Sequence, residues 1–228
     1  MKNRSGEKVK LTSIDEMLGV LNEESAMEIE ISRIHSFKDH PFKVLDDGKM
    51  QDLVDSVKEN GVLTPVLIRP TATDQYEMIS GHRRMHAAAI AGLTTIPAII
   101  REMSDDEAVI AMVDANIQRE ELLPSEKAYA FKMKLDAMKH QGGRTDITSG
   151  QNGQKLKGTV SRDILAEQVG ESRNQIQRFI RLTYLVKELR NMVDEIHEDG
   201  FTIALNPAYE LSFLQIKEQN DLVEVIKD

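Results

Sequence analysis

The stretch SRDILAEQVGESRNQIQRFIRL, residues 161–182, decides how this 228-residue chain is read. Two short helices crossing at a steep angle need a small residue where the second packs over the first. They then need a turn glycine four positions on and a buried aliphatic six beyond it. Ala166, Gly170 and Ile176 meet those demands in register, supported by apolar Leu165, Val169, Phe179 and Ile180. Ser161 is expected to cap the first helix, the second is expected to begin near Ser172, and both serines are expected to contact DNA. The outer side of that second helix presents Arg173, Asn174, Gln175, Gln177 and Arg178. Arg suits guanine edges, Asn and Gln suit adenine, and Ser or a helix N-terminus suits phosphate. The spacing predicts a helix-turn-helix that reads double-stranded DNA in the major groove.

The charge balance has to be read locally. The chain carries a net charge of −9, which argues against nonspecific coating of DNA. From Lys157 to Arg190, however, seven Lys/Arg stand against four Asp/Glu, whereas from Asn191 to Asp228 two Lys stand against nine Asp/Glu. The acid is segregated away from the candidate reading helix. Aromatics make up 4% with no Trp, so base stacking on aromatic platforms is poorly supplied. With no Cys, disulfides, thiolate catalysis and Cys-based zinc sites are excluded. No apolar run approaches 18 residues and no secretory leader is visible, so a cytoplasmic chain without a membrane partner is expected.

Outward from the motif, four segments emerge. Residues 1–26 read as a tail with one short amphipathic helix (Ile14, Met17, Leu18, Leu21) whose acidic polar face disfavours anionic lipid. Residues 27–120 alternate strand and helix signals. Strands are expected at Met27–Ile31, Val66–Arg69, Tyr76–Ile79 and Ile96–Ile100, with a helix ending at Asn60-Gly61, another at Arg83–Ala91, and a third capped by Ser104 and Glu107 that runs to about Gln118. Residues 121–158 read as a connecting helix to about Lys139 and then a Gly-, Gln- and Thr-rich linker from 141. Residues 159–228 are helical throughout. The fold class is therefore α+β, a small mixed α/β domain followed by an all-α helix-turn-helix domain.

A second constellation lies in the α/β segment. Ser80-Gly81-His82-Arg83-Arg84 falls between a strand and a helix, where free backbone N–H groups, the helix dipole and two guanidinium forks converge on an anion. Ala115-Asn116-Ile117-Gln118-Arg119-Glu120 offers amides that bind phosphate or a metal's water, and one more cation. Together with the helix-turn-helix, ISGHRRMHAAAIAGLTTIP and DANIQREELLPSEKAYAF resemble the ParB family of chromosome and plasmid partition proteins, in one colinear order over roughly residues 27–215. The resemblance implies a ParB/sulfiredoxin-like N-terminal domain that binds CTP with Mg²⁺. It also implies a homodimer recognising an inverted-repeat, centromere-like duplex, a ParA-like ATPase as partner, and a nucleoid- or plasmid-associated location. Gly81, His82, Arg83 and Arg84 take the positions of the family's GERR motif, and Asn116, Gln118 and Arg119 those of ENLQR, with Asn116 the residue nearest a metal role. Thr64-Pro65 stands where the family contacts the base.

This chain departs from the pattern at three places. His82 replaces the Glu of GERR, Ala115 replaces the Glu of ENLQR, and His40-Pro41-Phe42-Lys43-Val44 replaces an NPxQPR-like element. The family uses the Glu at position 115 near the metal and in hydrolysis, so no catalytic residue is assigned and at most weak CTPase activity is expected. Other chemistries fare worse. His82 and His86 are spaced i, i+4, but a hydrolytic zinc helix places Glu after the first His, and Arg83 stands there. Enzymes of the sulfiredoxin fold need a Cys. No paired-carboxylate motif calls for a nuclease. A nucleoid-occlusion protein or transcriptional regulator of the same fold is the alternative to partition.

Overall fold

The computed structural model describes residues 26–71, 74–119, 122–144, 159–194 and 202–227. The expected tail helix around residues 14–21 and the linker from 145 to 158 lie outside these residues. Strands β1 (Met27–Glu30), β2 (Ile34–His35), β3 (Val66–Pro70), β4 (Tyr76–Ser80) and β5 (Thr95–Ile100) form one mixed sheet in the order β1-β5-β3-β4-β2. β1 runs antiparallel to β5, and β4 runs antiparallel to β3. The β3–β5 and β2–β4 pairs are parallel.

Central β3 is covered on both faces, which is why Val66, Leu67 and Ile68 are apolar in succession. Val66 and Ile68 face a core made with Met78, Ile96 and Ala98. Helices α1 (Gly48–Asn60) and α2 (His82–Ile90) close that face through Met50, Val54, Val57, Ala87 and Ala88. On the opposite face Ile79 packs with Phe37, Phe42 and helix α3 (Asp105–Ile117), through Ala108, Met112 and Val113. Ser104 and Glu107 form the expected capping box of α3. Asp47 caps α1 by accepting from the Met50 amide at 2.8 Å, and Gly61 ends it at φ 69°.

The second unit is helical: α4 (Pro124–Arg144), α5 (Thr159–Val169), α6 (Arg173–Arg181), a 3₁₀ turn at Leu182–Tyr184, α7 (Lys187–Asp194), α8 (Leu205–Leu211) and α9 (Ile216–Lys227). Leu165, Ile176, Phe179, Leu182 and Leu189 pack around Phe131 and Leu135 of α4. Phe131 meets Phe179 edge-on at 5.7 Å. α4 also gives Ala130 to the α3 core, so one helix serves both units. The α+β architecture is as expected from sequence.

Most boundaries shift by a residue, and three of the differences have a consequence. β1 ends at Glu30 and Ile31–Arg33 form a 3₁₀ turn, so the strand stops one residue early. α5 already begins at Thr159, which puts Ser161 inside the first turn rather than at the N-cap. α4 continues through Gly142 and Gly143 to Arg144, past the expected linker start. Near its end His140 Nδ1 lies 3.1 Å from Asp106 of α3, a tertiary tie that local composition does not reveal.

Candidate phosphate cleft and DNA-reading helix

A cleft of about 520 Å³, mouth included, opens where β4 turns into α2. The loop carrying His40 to Val44 forms one wall, and Ala115, Asn116 and Arg119 at the end of α3 form the other. Gly81 is required twice over. Its φ is 113°, and a Cβ there would stand 2.5 Å from Cγ1 of the fully buried Val66. Because α2 starts at the next residue, its first-turn amides have no intrahelical acceptor. Lys43, Arg83, Arg84 and Arg119 line the cleft, and no carboxylate does among the described residues. That charge pattern suits a polyanion.

The two arginines have different roles. Nη1 of Arg84 donates to the carbonyls of Thr64 at 2.7 Å and Pro65 at 2.6 Å, and burial lowers its pKa. Thr64-Pro65 is thus brought to the cleft through Arg84 rather than by lining it. Arg83 has a looser neighbour, Asp47, at 3.9 Å. The sequence assigns both arginines to an anion; Arg84 in addition holds two backbone carbonyls.

His82 is nearly buried and its ring stacks on His40 at 3.7 Å, tilted 31°. Neither Nε2 has a hydrogen-bond partner. Burial, with the neighbouring His40 second, pushes the His82 pKa down to about 3. Burial also lowers that of His40, opposed by a backbone hydrogen bond with Phe42. His40 carries no periodicity or spacing that would single it out. Its pairing with His82 joins two of the places where the sequence leaves the motif. His86 instead contacts Asp46 at 2.7 Å, so the two histidines four residues apart serve different neighbours.

The second motif divides as well. Arg119 lines the cleft, as does Asn116, whose side-chain nitrogen donates back to the Met112 carbonyl at 2.9 Å. Gln118 turns away from the cleft and meets the Gln168 carbonyl on α5 at 3.4 Å. Beside it the buried Lys134 pairs with Asp114 and donates to Gln168 Oε1 at 2.6 Å. Among the described residues, no group of three His, Cys, Asp or Glu is placed to hold a metal. The cleft loop is pinned to the helical unit too: the Lys43 amide donates to buried Glu126 of α4 at 2.7 Å.

The helix-turn-helix follows from its turn. Gly170 takes φ 68°, and the Glu171 amide reaches back to the Ala166 carbonyl at 3.2 Å, closing α5. Ser172 caps α6 by accepting from the Gln175 amide at 3.2 Å. Ile176 and Phe179 point into the core, while Arg173, Asn174, Gln177 and Arg178 are exposed. Gln175 is half-buried, less open than its spacing suggested.

The ParB N-terminal domain family matches residues 16–117. A probable chromosome-partitioning protein ParB of Neisseria meningitidis is 35% identical over 149 residues, covering 65% of this chain and 45% of that protein. The chain belongs to the ParB family. A nucleoid occlusion protein of Listeria innocua is 30% identical over 200 residues, covering 85% of this ParB-family chain and 63% of that protein. The chain spans about half the length of the ParB relatives it matches. A solved pNOB8-like ParB N-domain superposes with a TM-score of 0.52 at 15% identity, covering 87% of this chain and 88% of that one. That likeness supports the mixed α/β fold.

Proposed function

We propose that this ParB-family chain is a partition protein that binds an inverted-repeat duplex as a homodimer and is gated by CTP. The observation that carries the reading is α4. It packs against the reading helix through Phe131 and Phe179, and its Glu126 holds the amide of Lys43 on the cleft wall. Ligand in the cleft and DNA on α6 therefore bear on one shared helix. The cationic, carboxylate-free lining and the glycine turn fit a triphosphate. Mg²⁺ would arrive on the nucleotide, because the cleft supplies no acidic ligand; the Asn116 side-chain oxygen is the nearest protein candidate. With Ala115 where the resemblance places a glutamate, nucleotide binding is expected to outlast any turnover. A ParA-like ATPase and a nucleoid or plasmid location complete the proposal.

The second reading is nucleoid occlusion or regulation, favoured by the longer match to the Listeria innocua protein. Both readings share the cleft and the helix and differ in partner. Calorimetry with each nucleoside triphosphate and Mg²⁺, with and without selected duplex, tests the common part. CTP binding above the other nucleotides supports it, and no CTP binding with duplex present refutes it. Stimulation of a ParA-like ATPase then separates partition from occlusion.

A further inference from the structure

Helix α5 is ordinarily the scaffold of a helix-turn-helix, and of its side chains only Ser161 is expected from sequence to contact DNA. In the structure two of them reach across to the exposed face of α6. Asp163 forms an ion pair with Nε of Arg173, the first residue of α6. One position earlier, Arg162 donates from Nη1 to Oε1 of Gln177 at 3.2 Å. Both α6 side chains are solvent-exposed, Arg173 at 60%, so neither is held by the core.

We infer that Arg162 and Asp163 are positioning residues for base recognition, presetting α6 to read hydrogen-bond acceptors on the major-groove edge of guanine. The inference rests on the DNA-binding reading above and specifies its substrate. The chemistry follows from which atoms remain available. With Nε in an ion pair with Asp163, Arg173 can present its two terminal nitrogens as a parallel fork, which matches O6 and N7 of guanine. A free arginine must give up rotamer freedom to reach that geometry, and a held one has already lost it. Gln177 is the more telling case. A glutamine reads adenine with both ends of its amide, donating to N7 and accepting from N6. Its oxygen is engaged by Arg162, so the NH₂ end is left, and that end reads acceptors alone.

Asp163 also supplies discrimination of a second kind. A carboxylate facing the DNA side is repelled by phosphate, so it weakens random-duplex binding while sharpening the one arrangement that uses Arg173.

The test is selection of duplexes from a random library by the full chain and its variants, followed by anisotropy on the selected site and on random duplex. Wild type selects a site with guanine at a position whose preference vanishes in Arg173→Ala. Asp163→Asn loses the same position, weakening the selected site about tenfold, while its affinity for random duplex rises. Asp163→Glu recovers part of the preference. Arg162→Ala frees the Gln177 oxygen and shifts the position lost in Gln177→Ala from guanine toward adenine. If Asp163→Asn keeps the guanine preference, or changes every position and random DNA alike, the positioning role is refuted while DNA binding stands. If the wild type selects no sequence at all, the DNA reading falls and this inference with it. Melting curves identify any variant that has lost its fold. A folded Arg162→Ala that still selects guanine overturns the Gln177 half by itself.

Discussion

Gly81→Ala isolates the geometric demand of the cleft from its charge. At φ 113° an L side chain is strained, by about 1–2 kcal/mol. The added methyl also lies 2.5 Å from Val66 Cγ1 and 2.9 Å from Val66 Cβ, and Val66 is fully buried between sheet and helix, with no space to retreat. Overpacking of this kind costs about 1–3 kcal/mol. The sum, about 2–5 kcal/mol, is a large part of the 5–15 kcal/mol or so that stabilises a typical domain. For a chain of this size the midpoint should fall by about 4–20 °C. Thermal and urea unfolding of Gly81→Ala, Val66→Ala and the double variant close a mutant cycle. Val66→Ala removes the 2.5 Å contact with Cγ1 but leaves Cβ at 2.9 Å and the backbone strain, so the double variant should regain only part of the overpacking cost and be about 1–2 kcal/mol more stable than additivity predicts. Additivity within about 0.5 kcal/mol, or a Gly81→Ala protein as stable as wild type, refutes the reasoning.

The other predictions concern side chains. Arg84→Met leaves the Thr64 and Pro65 carbonyls without their donor and should cost about 1–3 kcal/mol by urea unfolding, whereas Arg83→Met, whose nearest carboxylate is 3.9 Å away, should stay within about 0.5 kcal/mol. Equal costs would contradict the division of labour. Asp114→Ala strands the buried Lys134 ammonium, whereas Lys134→Met removes it, so the first should destabilise more. A larger loss in Lys134→Met overturns that order. The His82 pKa is depressed in the fold, so the unfolded chain binds the extra proton. Its contribution is present above the unfolded value of about 6.5 and is lost toward about pH 3, at up to about 1.4 kcal/mol per pH unit. His82→Gln should therefore flatten the fall in stability between pH 6.5 and 4.5, and an unchanged slope would show that another group titrates there.

How much was legible depended on whether a residue's task was local. The helix-turn-helix was readable because Ala166, Gly170 and Ile176 act within one supersecondary unit at fixed spacing. The Ser104–Glu107 box was legible for the same reason. The structural contacts of Arg84 were not legible because its acceptors lie twenty and nineteen residues away, at Thr64 and Pro65, where no periodicity connects them. Ser161 looked like a cap because caps are read from residue type, and the helix had begun two residues sooner. His40 and Gln118 were decided by partners 42 and 50 residues distant in the chain.

Those long-range ties have a common destination. Lys43 from the cleft loop binds Glu126, Asp114 from α3 binds Lys134, and Lys134 goes on to Gln168 at the end of α5. Glu126 and Lys134 stand eight residues apart on α4 and are both buried, although Asp114, the partner of Lys134, is half-exposed. The loop wall is tied to the start of α4, and the α3 wall is tied to it about two turns further along. Movement of both walls toward an anion would therefore bias the tilt of α4 rather than slide it. Phe131, between those two contacts, carries that tilt to Phe179 on the inner side of the reading helix. The path runs through packed and paired atoms at every step, and its coupling can be measured because Phe131→Leu should weaken the effect of nucleotide on DNA affinity while leaving each ligand's separate binding in place. Undiminished coupling in that variant would mean that the two sites communicate by another route.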